Sequence, residues 1–199
     1  MNALTLNEHD RHDVLGQNDD IDFDHRRYHP LRYHFRDLDW AIFGTVTWAW
    51  LSRRNPYSHK AAQFRREDFR GAMFRTCAEL RLRYSDLAYY RATEVGAGEC
   101  HMHFLVANHA LRNVTPTEFA RMFEHLWTRG FRVFDRKIGG VGTAEIRPYS
   151  KAFGESGAAY CLKREYDQYR RELERDDFLS VGLKKLITKH QQAVCLGLD

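Results

Sequence analysis

A run of apolar, β-branched and aromatic residues at positions 41–50, AIFGTVTWAW, constrains the fold of this chain more than any other feature. Such a run is typical of a strand that is buried in the middle of a sheet. In the segment that follows, the apolar positions step by three or four residues: Phe69, Met73, Cys77, Leu80 and Tyr84. That spacing predicts a helix on one face of the strand, capped by Ser58 and running to about Tyr84.

The remaining patterns alternate between strands and helices. Residues 87–95 and 99–108 are predicted to form an antiparallel hairpin, because the glycine-rich residues 96–98 between them make a tight turn. Residues 115–118, TPTE, have the form of a capping box and predict a helix that ends at Gly130. Further short strands and helices are predicted at residues 131–134, 143–149, 155–176 and 178–193. This order predicts an α+β fold, with helices packed on an antiparallel sheet.

Charge is unevenly distributed along the chain, whose formal net charge is +4. Residues 1–39 carry nine acids and five bases, which leaves residues 40–199 with 26 bases and 18 acids. A basic body favours a polyanionic partner such as nucleic acid, although ordinary solvated helix faces account for the same excess. Five arginines near the first strand and its helix are candidates for phosphate contacts: Arg53, Arg54, Arg65, Arg66 and Arg70.

Three segments are expected along the chain. They are an acidic N-terminal arm at residues 1–38, a domain at residues 39–176, and a C-terminal amphipathic segment at residues 177–199 that packs on the domain. The sequence lacks a run of about 18 apolar residues and begins with polar and acidic residues, so we expect a cytoplasmic protein without a membrane span or a secretory leader. The cysteines lack a C-x-x-C pattern and are expected to be reduced thiols: Cys77, Cys100, Cys161 and Cys195.

His101 and His103 are the most informative residues of the sequence. Residues two apart on a strand point to the same face, so these two imidazoles lie side by side while Met102 and Phe104 point into the core. Pairing across the turn is expected to bring the carboxylate of Glu94 beside them. Two histidines and a carboxylate suit a manganese or magnesium ion, with zinc as the alternative. Two histidines on a solvent-facing strand without a metal would produce the same pattern.

Tyr160 and Lys163 are candidates for nucleophilic chemistry. Both fall in the predicted helix at residues 155–176, and positions three apart on a helix share a face. A nearby ammonium favours the phenolate, which is the nucleophilic form of tyrosine. The small residues at positions 157–159 would let a DNA backbone approach the phenol. Because the chain contains ten tyrosines, a helical tyrosine that only packs is the better explanation of Tyr160 when it is considered alone.

In order and spacing, these residues resemble the HUH endonuclease superfamily, and within it the single-tyrosine initiators of rolling-circle replication. The match consists of the apolar first strand at residues 43–47, the histidines of residues 101–103 preceded by Glu94, and the final pair Tyr160 and Lys163. The resemblance implies a ferredoxin-like or RRM-like HUH nuclease core that spans most of residues 40–170.

The resemblance also implies roles for these residues. His101, His103 and Glu94 would hold a divalent metal ion. Tyr160 would attack a DNA phosphate and retain the 5′ end, with Lys163 in support. The partner would be single-stranded DNA or an origin hairpin. The sequence has no G-x-x-x-x-G-K-[ST] pattern, so no nucleotide cofactor is expected, and a host helicase would unwind the DNA of a plasmid, phage or similar element in a prokaryotic cell.

Two other functions fit the same sequence features. A single-tyrosine HUH transposase shares the order of the motifs. A non-catalytic, RRM-like nucleic-acid-binding module would need neither a metal nor a covalent adduct. Such a module would stack bases on exposed aromatic residues, for which the sequence offers four candidates: Trp48, Trp50, Tyr89 and Tyr90.

Overall fold

Strand β1 (Trp40–Thr47) lies inside an antiparallel sheet, paired on one side with β3 (Cys100–Ala107) and on the other with β6 (Ala144–Pro148). The far side of β3 pairs with β2 (Tyr89–Val95), and β2 in turn pairs with the two-residue strand β7 (Phe178–Leu179). The strand order is β6-β1-β3-β2-β7. The predicted central strand, the predicted hairpin and the α+β class are therefore confirmed.

This computed structural model describes residues 35, 37–49, 58–95, 100–133, 136–150, 158, 161 and 178–196. The predicted turn at residues 96–98 lies outside the described residues. So does the predicted helix at residues 155–176, apart from Ala158 and Cys161, which are both helical and buried.

Helices α1 (His59–Glu79) and α2 (Pro116–Arg129) pack on one face of the sheet, and α3 (Val181–Leu196) packs beside β2. A separate short hairpin joins β4 (Phe131–Val133) to β5 (Arg136–Ile138), and β5 was not predicted from the sequence. None of the helices in the described part of the chain is long and apolar enough to cross a membrane.

The ends of the helices follow their capping residues. Ser58 caps α1 by accepting a hydrogen bond from the backbone N–H of Ala61 at 3.1 Å, as predicted. The helix ends at Glu79 rather than near Tyr84, because Arg81 adopts a left-handed conformation with φ of 57°. The capping box of α2 is confirmed, since Thr115 and Glu118 satisfy each other's backbone N–H groups. These hydrogen bonds from Thr115 lower the pKa of Glu118.

The two terminal segments of the described chain are tied to the sheet. Phe35 and Leu38, which fall in the segment expected to be an arm, are buried in the hydrophobic core. At the other end, the backbone N–H of Tyr89 donates to Ser180 Oγ at 2.8 Å, and that hydroxyl donates to the carbonyl of Leu87 at 2.9 Å. Leu183 of α3 is fully buried below this contact. The C-terminal segment thus packs against β2.

Phe104 on β3 lies at the centre of the core beneath the helices. Its ring centroid is 5.1 Å from that of Phe69 on α1 and 5.1 Å from that of Phe123 on α2. The same ring packs against Gly44 of β1, where a Cβ atom would collide with it. A glycine is needed at this position because the ring of Phe104 is fully buried and cannot shift to make room for a Cβ atom.

We therefore expect Gly44→Ala to lower the free energy of unfolding by about 1–3 kcal/mol, the usual cost of overpacking a core. Gly139→Ala is the matched control, because a Cβ atom at Gly139 meets nothing within 4 Å. That control should change stability by less than about 0.5 kcal/mol. Urea unfolding of both variants measures the difference, and equal stabilities would contradict the packing described for Phe104.

Candidate metal centre

Side chains alternate between the two faces of the sheet along each strand. Gly44 and Phe104 pair with each other and face α1 and α2, so their neighbours Thr45 and His103 face the opposite side. We call this second side the histidine face. Its residues form three rows across the strands: Arg147-Phe43-Leu105-Tyr90, Glu145-Thr45-His103-Ala92 and, from β1 to β2, Thr47-His101-Glu94.

His103 is held at both of its ring nitrogens. Its Nδ1 lies 2.9 Å from Thr45 Oγ1 on β1, and its Nε2 lies 3.1 Å from Glu94 Oε2 on β2. The residue is only 2% exposed, and the ring of Phe43 stacks on it with centroids 6.0 Å apart. One imidazole therefore links three neighbouring strands in a fixed orientation.

The hydroxyl of Thr45 is compatible with a proton on either ring nitrogen of His103. A threonine hydroxyl can donate or accept a hydrogen bond. When it accepts from Nδ1–H, the lone pair of Nε2 points toward the carboxylate of Glu94. Two acceptors then face each other, and a cation between them would stabilise the arrangement. When it donates to Nδ1, Nε2–H itself donates to Glu94. The first arrangement is the one found in metal-ligating histidines, whose second nitrogen is oriented by a hydrogen-bond partner.

His101 lies on the same face as His103, as the alternation of the strand predicts. The two rings are nearly parallel, with centroids 6.5 Å apart and an interplanar angle of 17°. His101 pairs in register with Glu94 on β2, and it is partly exposed. The described residues contain no group of three His, Cys, Asp or Glu side chains that already converges on one point. To join Glu94 and His103 around an ion, the ring of His101 would have to rotate.

The spacing of Glu94 and His103 fits a metal ion. Two ligand atoms at about 2.1 Å from one ion, nearly at right angles, lie about 3 Å apart. The 3.1 Å between His103 Nε2 and Glu94 Oε2 is compatible with that value and equally with a direct hydrogen bond. The donor set of two imidazoles and a carboxylate also suits a divalent ion with open positions. His101, His103 and Glu94 therefore fit the metal that the resemblance implies, and the ion itself stays a prediction.

Tyr160 and Lys163, the predicted nucleophile and its helper, lie outside the described residues. Ala158 and Cys161, which flank Tyr160 in the sequence, are 2% and 3% exposed and belong to the hydrophobic core. The chemistry assigned to Tyr160 stays a prediction.

The aromatic residues expected to stack bases in a non-catalytic module are not accessible. Trp48 and Tyr89 are each 4% exposed, and Tyr90 is fully buried. Tyr89 faces α1 and Tyr90 faces Phe35, so both faces of β2 are covered at this point. Burial also raises the pKa of the Tyr89 phenol. The expectation that these three residues form a stacking platform is wrong, and Trp50 lies outside the described residues.

The candidate phosphate-binding arginines do not surround the histidines. Arg65 is 1% exposed, and Arg66 and Arg70 lie on α1, which packs on the opposite side of the sheet from the histidine face. Arg53 and Arg54 lie outside the described residues. The arginine that the structure places on the histidine face is Arg147, in the first row.

Thr45 is the site residue that sequence reasoning missed. It lies 58 positions from His103 in the sequence, and only the pairing of β1 with β3 brings the two together. The signal was present in the alternation of β1, since Thr45 and Thr47 are the polar residues in an otherwise apolar run. Polar residues at alternate positions of a buried strand indicate that this face of the strand makes specific hydrogen bonds.

Comparison of the chain with protein-family models, with curated proteins and with solved structures found no match. Any assignment of function therefore depends on the residues of this chain and their geometry.

Thr45→Val should weaken the binding of manganese by about 10- to 100-fold, because it removes the hydrogen bond that orients the ring of His103. Valine has nearly the same shape as threonine, so the strand should still form. Thr45→Ser keeps the hydroxyl and should bind manganese like the wild type. Isothermal titration calorimetry with manganese chloride measures all three proteins, and equal affinities for Thr45→Val and Thr45→Ser would refute this role.

Proposed function

We propose that this chain nicks and rejoins single-stranded DNA in a metal-dependent reaction through a 5′-phosphotyrosine at Tyr160, as an initiator of rolling-circle replication. The observation that carries the proposal is the contact between Glu94 and His103, with His101 on the same face of the sheet. These three residues come from two neighbouring strands, and they are the residues to which the HUH resemblance assigns a metal.

The order of the elements also supports the proposal. β1, α1, β2, β3, α2 and β6 follow one another in the β-α-β-β-α-β order of ferredoxin-like folds. β4 and β5 form a hairpin of their own between α2 and β6, outside the main sheet. In this arrangement β1 and β3 are the two central strands, and the candidate ligands project from β3 and its neighbour β2.

The charges on the histidine face favour a divalent cation as part of the site. Glu94 and Glu145 both lie on this face: Glu94 contacts His103, and Glu145 pairs with Thr45 on the other side of the histidine. Without a cation, these carboxylates would repel a DNA phosphate. A divalent ion held by His101, His103 and Glu94 would supply Lewis acidity toward the phosphate oxygens and neutralise charge that develops there.

The chain's own residues account for the remaining steps of the reaction. The phenolate oxygen of Tyr160 forms a bond to phosphorus, and the bond between phosphorus and the 3′ oxygen breaks. The phenol releases its proton to water, the leaving 3′ oxygen takes a proton from water to become a hydroxyl, and the 5′ phosphate stays on the tyrosine. Lys163 follows three residues later in the sequence, and in the predicted helix it would place a positive charge beside the phenolate and favour its formation. Attack of a 3′ hydroxyl on the phosphotyrosine reverses the step and rejoins the strand.

That reversibility suits an initiator, which has to open a circle and later close it. A single-tyrosine transposase would form the same adduct, and the residues described here serve both roles equally. The chemistry of the adduct is therefore the part of the proposal that depends on this site, and the replication role depends on the resemblance alone.

The wild-type protein should become covalently attached to the 5′ phosphate of a labelled single-stranded origin oligonucleotide when manganese is present. Tyr160→Phe should bind the same DNA and form no adduct. Tyr149→Phe is the control, because it removes a different phenol at the end of β6. Denaturing gel electrophoresis separates the adduct from free DNA.

An adduct that persists in Tyr160→Phe would place the nucleophile elsewhere. Cleavage by the wild type without attachment would make water the nucleophile and would contradict the proposed mechanism. His103→Ala should abolish the adduct, and its melting transition shows whether the variant is still folded. A folded His103→Ala that forms the adduct like the wild type would contradict the role of His103.

A chain that begins at residue 35 should cleave a short oligonucleotide as fast as the full chain, because the site residues lie far beyond the acidic arm. The deletion has to leave Phe35 and Leu38 in place, since both are buried in the core. The cleavage rate and the melting temperature are measured together. A truncated protein that melts like the full chain but fails to cleave would show that the arm takes part in the reaction.

A further inference from the structure

In the first row of the histidine face, Arg147 lies beside Phe43, and Phe43 stacks on His103 of the next row. The guanidinium carbon of Arg147 on β6 lies 5.9 Å from the ring centroid of Phe43, within the range of a cation–π contact. The ring of Phe43 in turn stacks on His103, with an interplanar angle of 16°. Arg147, Phe43 and His103 therefore form a chain of neighbouring side chains from β6 to the candidate metal ligand.

The side chain of Arg147 is exposed and contacts two neighbours, Phe43 and Glu145. Its side chain is 56% exposed, and its other contact is with Glu145 of the same strand, at 3.4 Å between Nη2 and Oε1. An exposed ion pair of this kind contributes little to stability. Glu145 and Phe43 thus lie beside the guanidinium, whose exposed surface is available to a ligand.

We propose that Arg147, supported by Phe43, forms a stacking site for one nucleobase of the single strand. Arginine guanidinium planes and aromatic rings are the usual stacking partners of unpaired bases. β6 and β3 are separated by one strand, which places Arg147 roughly 10 Å from the strand of His103. A base held there would belong to a nucleotide close to the phosphate at the metal ligands. This inference rests on the proposed function for its substrate class.

The rest of the described aromatic residues strengthen this choice. The aromatic residues on β2 and at the end of β1 are buried, as shown above for Trp48, Tyr89 and Tyr90. Phe74, the large exposed aromatic residue, lies on α1, against Tyr84 and on the other side of the sheet. A base that reaches the histidine face from β6 would meet the Arg147 plane first.

The test separates stacking from charge by replacing arginine with lysine. Arg147→Lys keeps the positive charge and loses the plane, so a stacking site should bind a fluorescein-labelled oligothymidine about 5- to 100-fold more weakly. Arg112→Lys is the matched control, because Arg112 is 58% exposed and also pairs with a carboxylate, that of Asp86 at 2.7 Å. Fluorescence polarisation is measured with EDTA, and again with manganese in a Tyr160→Phe background.

A second experiment uses oligothymidines in which one base at a time is removed to leave an abasic sugar. The wild type should bind more weakly when the abasic sugar is at one particular position. Arg147→Lys, which already lacks the stacking contact, should lose no further affinity from the abasic sugar at that position. Arg147→Lys that binds like the wild type, or an abasic profile that Arg147→Lys leaves unchanged, would overturn the proposal.

These outcomes are distinct from the failure of the proposed function. If the effect of Arg147→Lys depends on one abasic position but the protein never forms an adduct, the base-stacking site is supported and the proposed nicking activity is refuted. An adduct formed by the wild type with no effect of Arg147→Lys on binding would refute the base site alone.

Discussion

The imidazole of His103 joins three strands of the sheet, and the candidate site depends on it. Thr45 on β1 and Glu94 on β2 contact its two nitrogens, while its backbone belongs to β3 between them. A slip of one residue in either pairing would send Thr45 or Glu94 to the opposite face of the sheet. The register of β1, β3 and β2 is therefore a requirement of the site as much as of the fold.

That register is fixed from the opposite face, where the core is packed. Phe104, next to His103 in the sequence, lies between the rings of Phe69 and Phe123 and against Gly44. Each ring has one position in which it fits, since core packing is as dense as a molecular crystal. Packing around Phe104 thus helps to set the strands, and the polar groups of the histidine face take their geometry from them. This division lets a sheet carry buried polar groups without losing its stability.

The sequence was sufficient for the features that follow from local periodicity. The alternation of β3 placed His101 and His103 on one face, and the glycine-rich turn paired their strand with that of Glu94. The contribution of Thr45 could not be predicted, because it depends on which strand lies beside β3, a long-range property. The short strand β5 was missed because three residues carry too little pattern. Tyr89 and Tyr90 misled because adjacent strand residues face opposite sides, and here both sides are covered.

We expect a metal ion to lie between Glu94 and His103 in the active protein, in place of the direct hydrogen bond between them. Crystals of the full chain soaked in manganese, with diffraction data collected at the manganese absorption edge, test this directly. The account predicts an anomalous peak about 2.2 Å from both His103 Nε2 and a carboxylate oxygen of Glu94, with the His101 ring rotated toward it. Saturating manganese that leaves no peak there, with Glu94 and His103 still in direct hydrogen-bond contact, would contradict it.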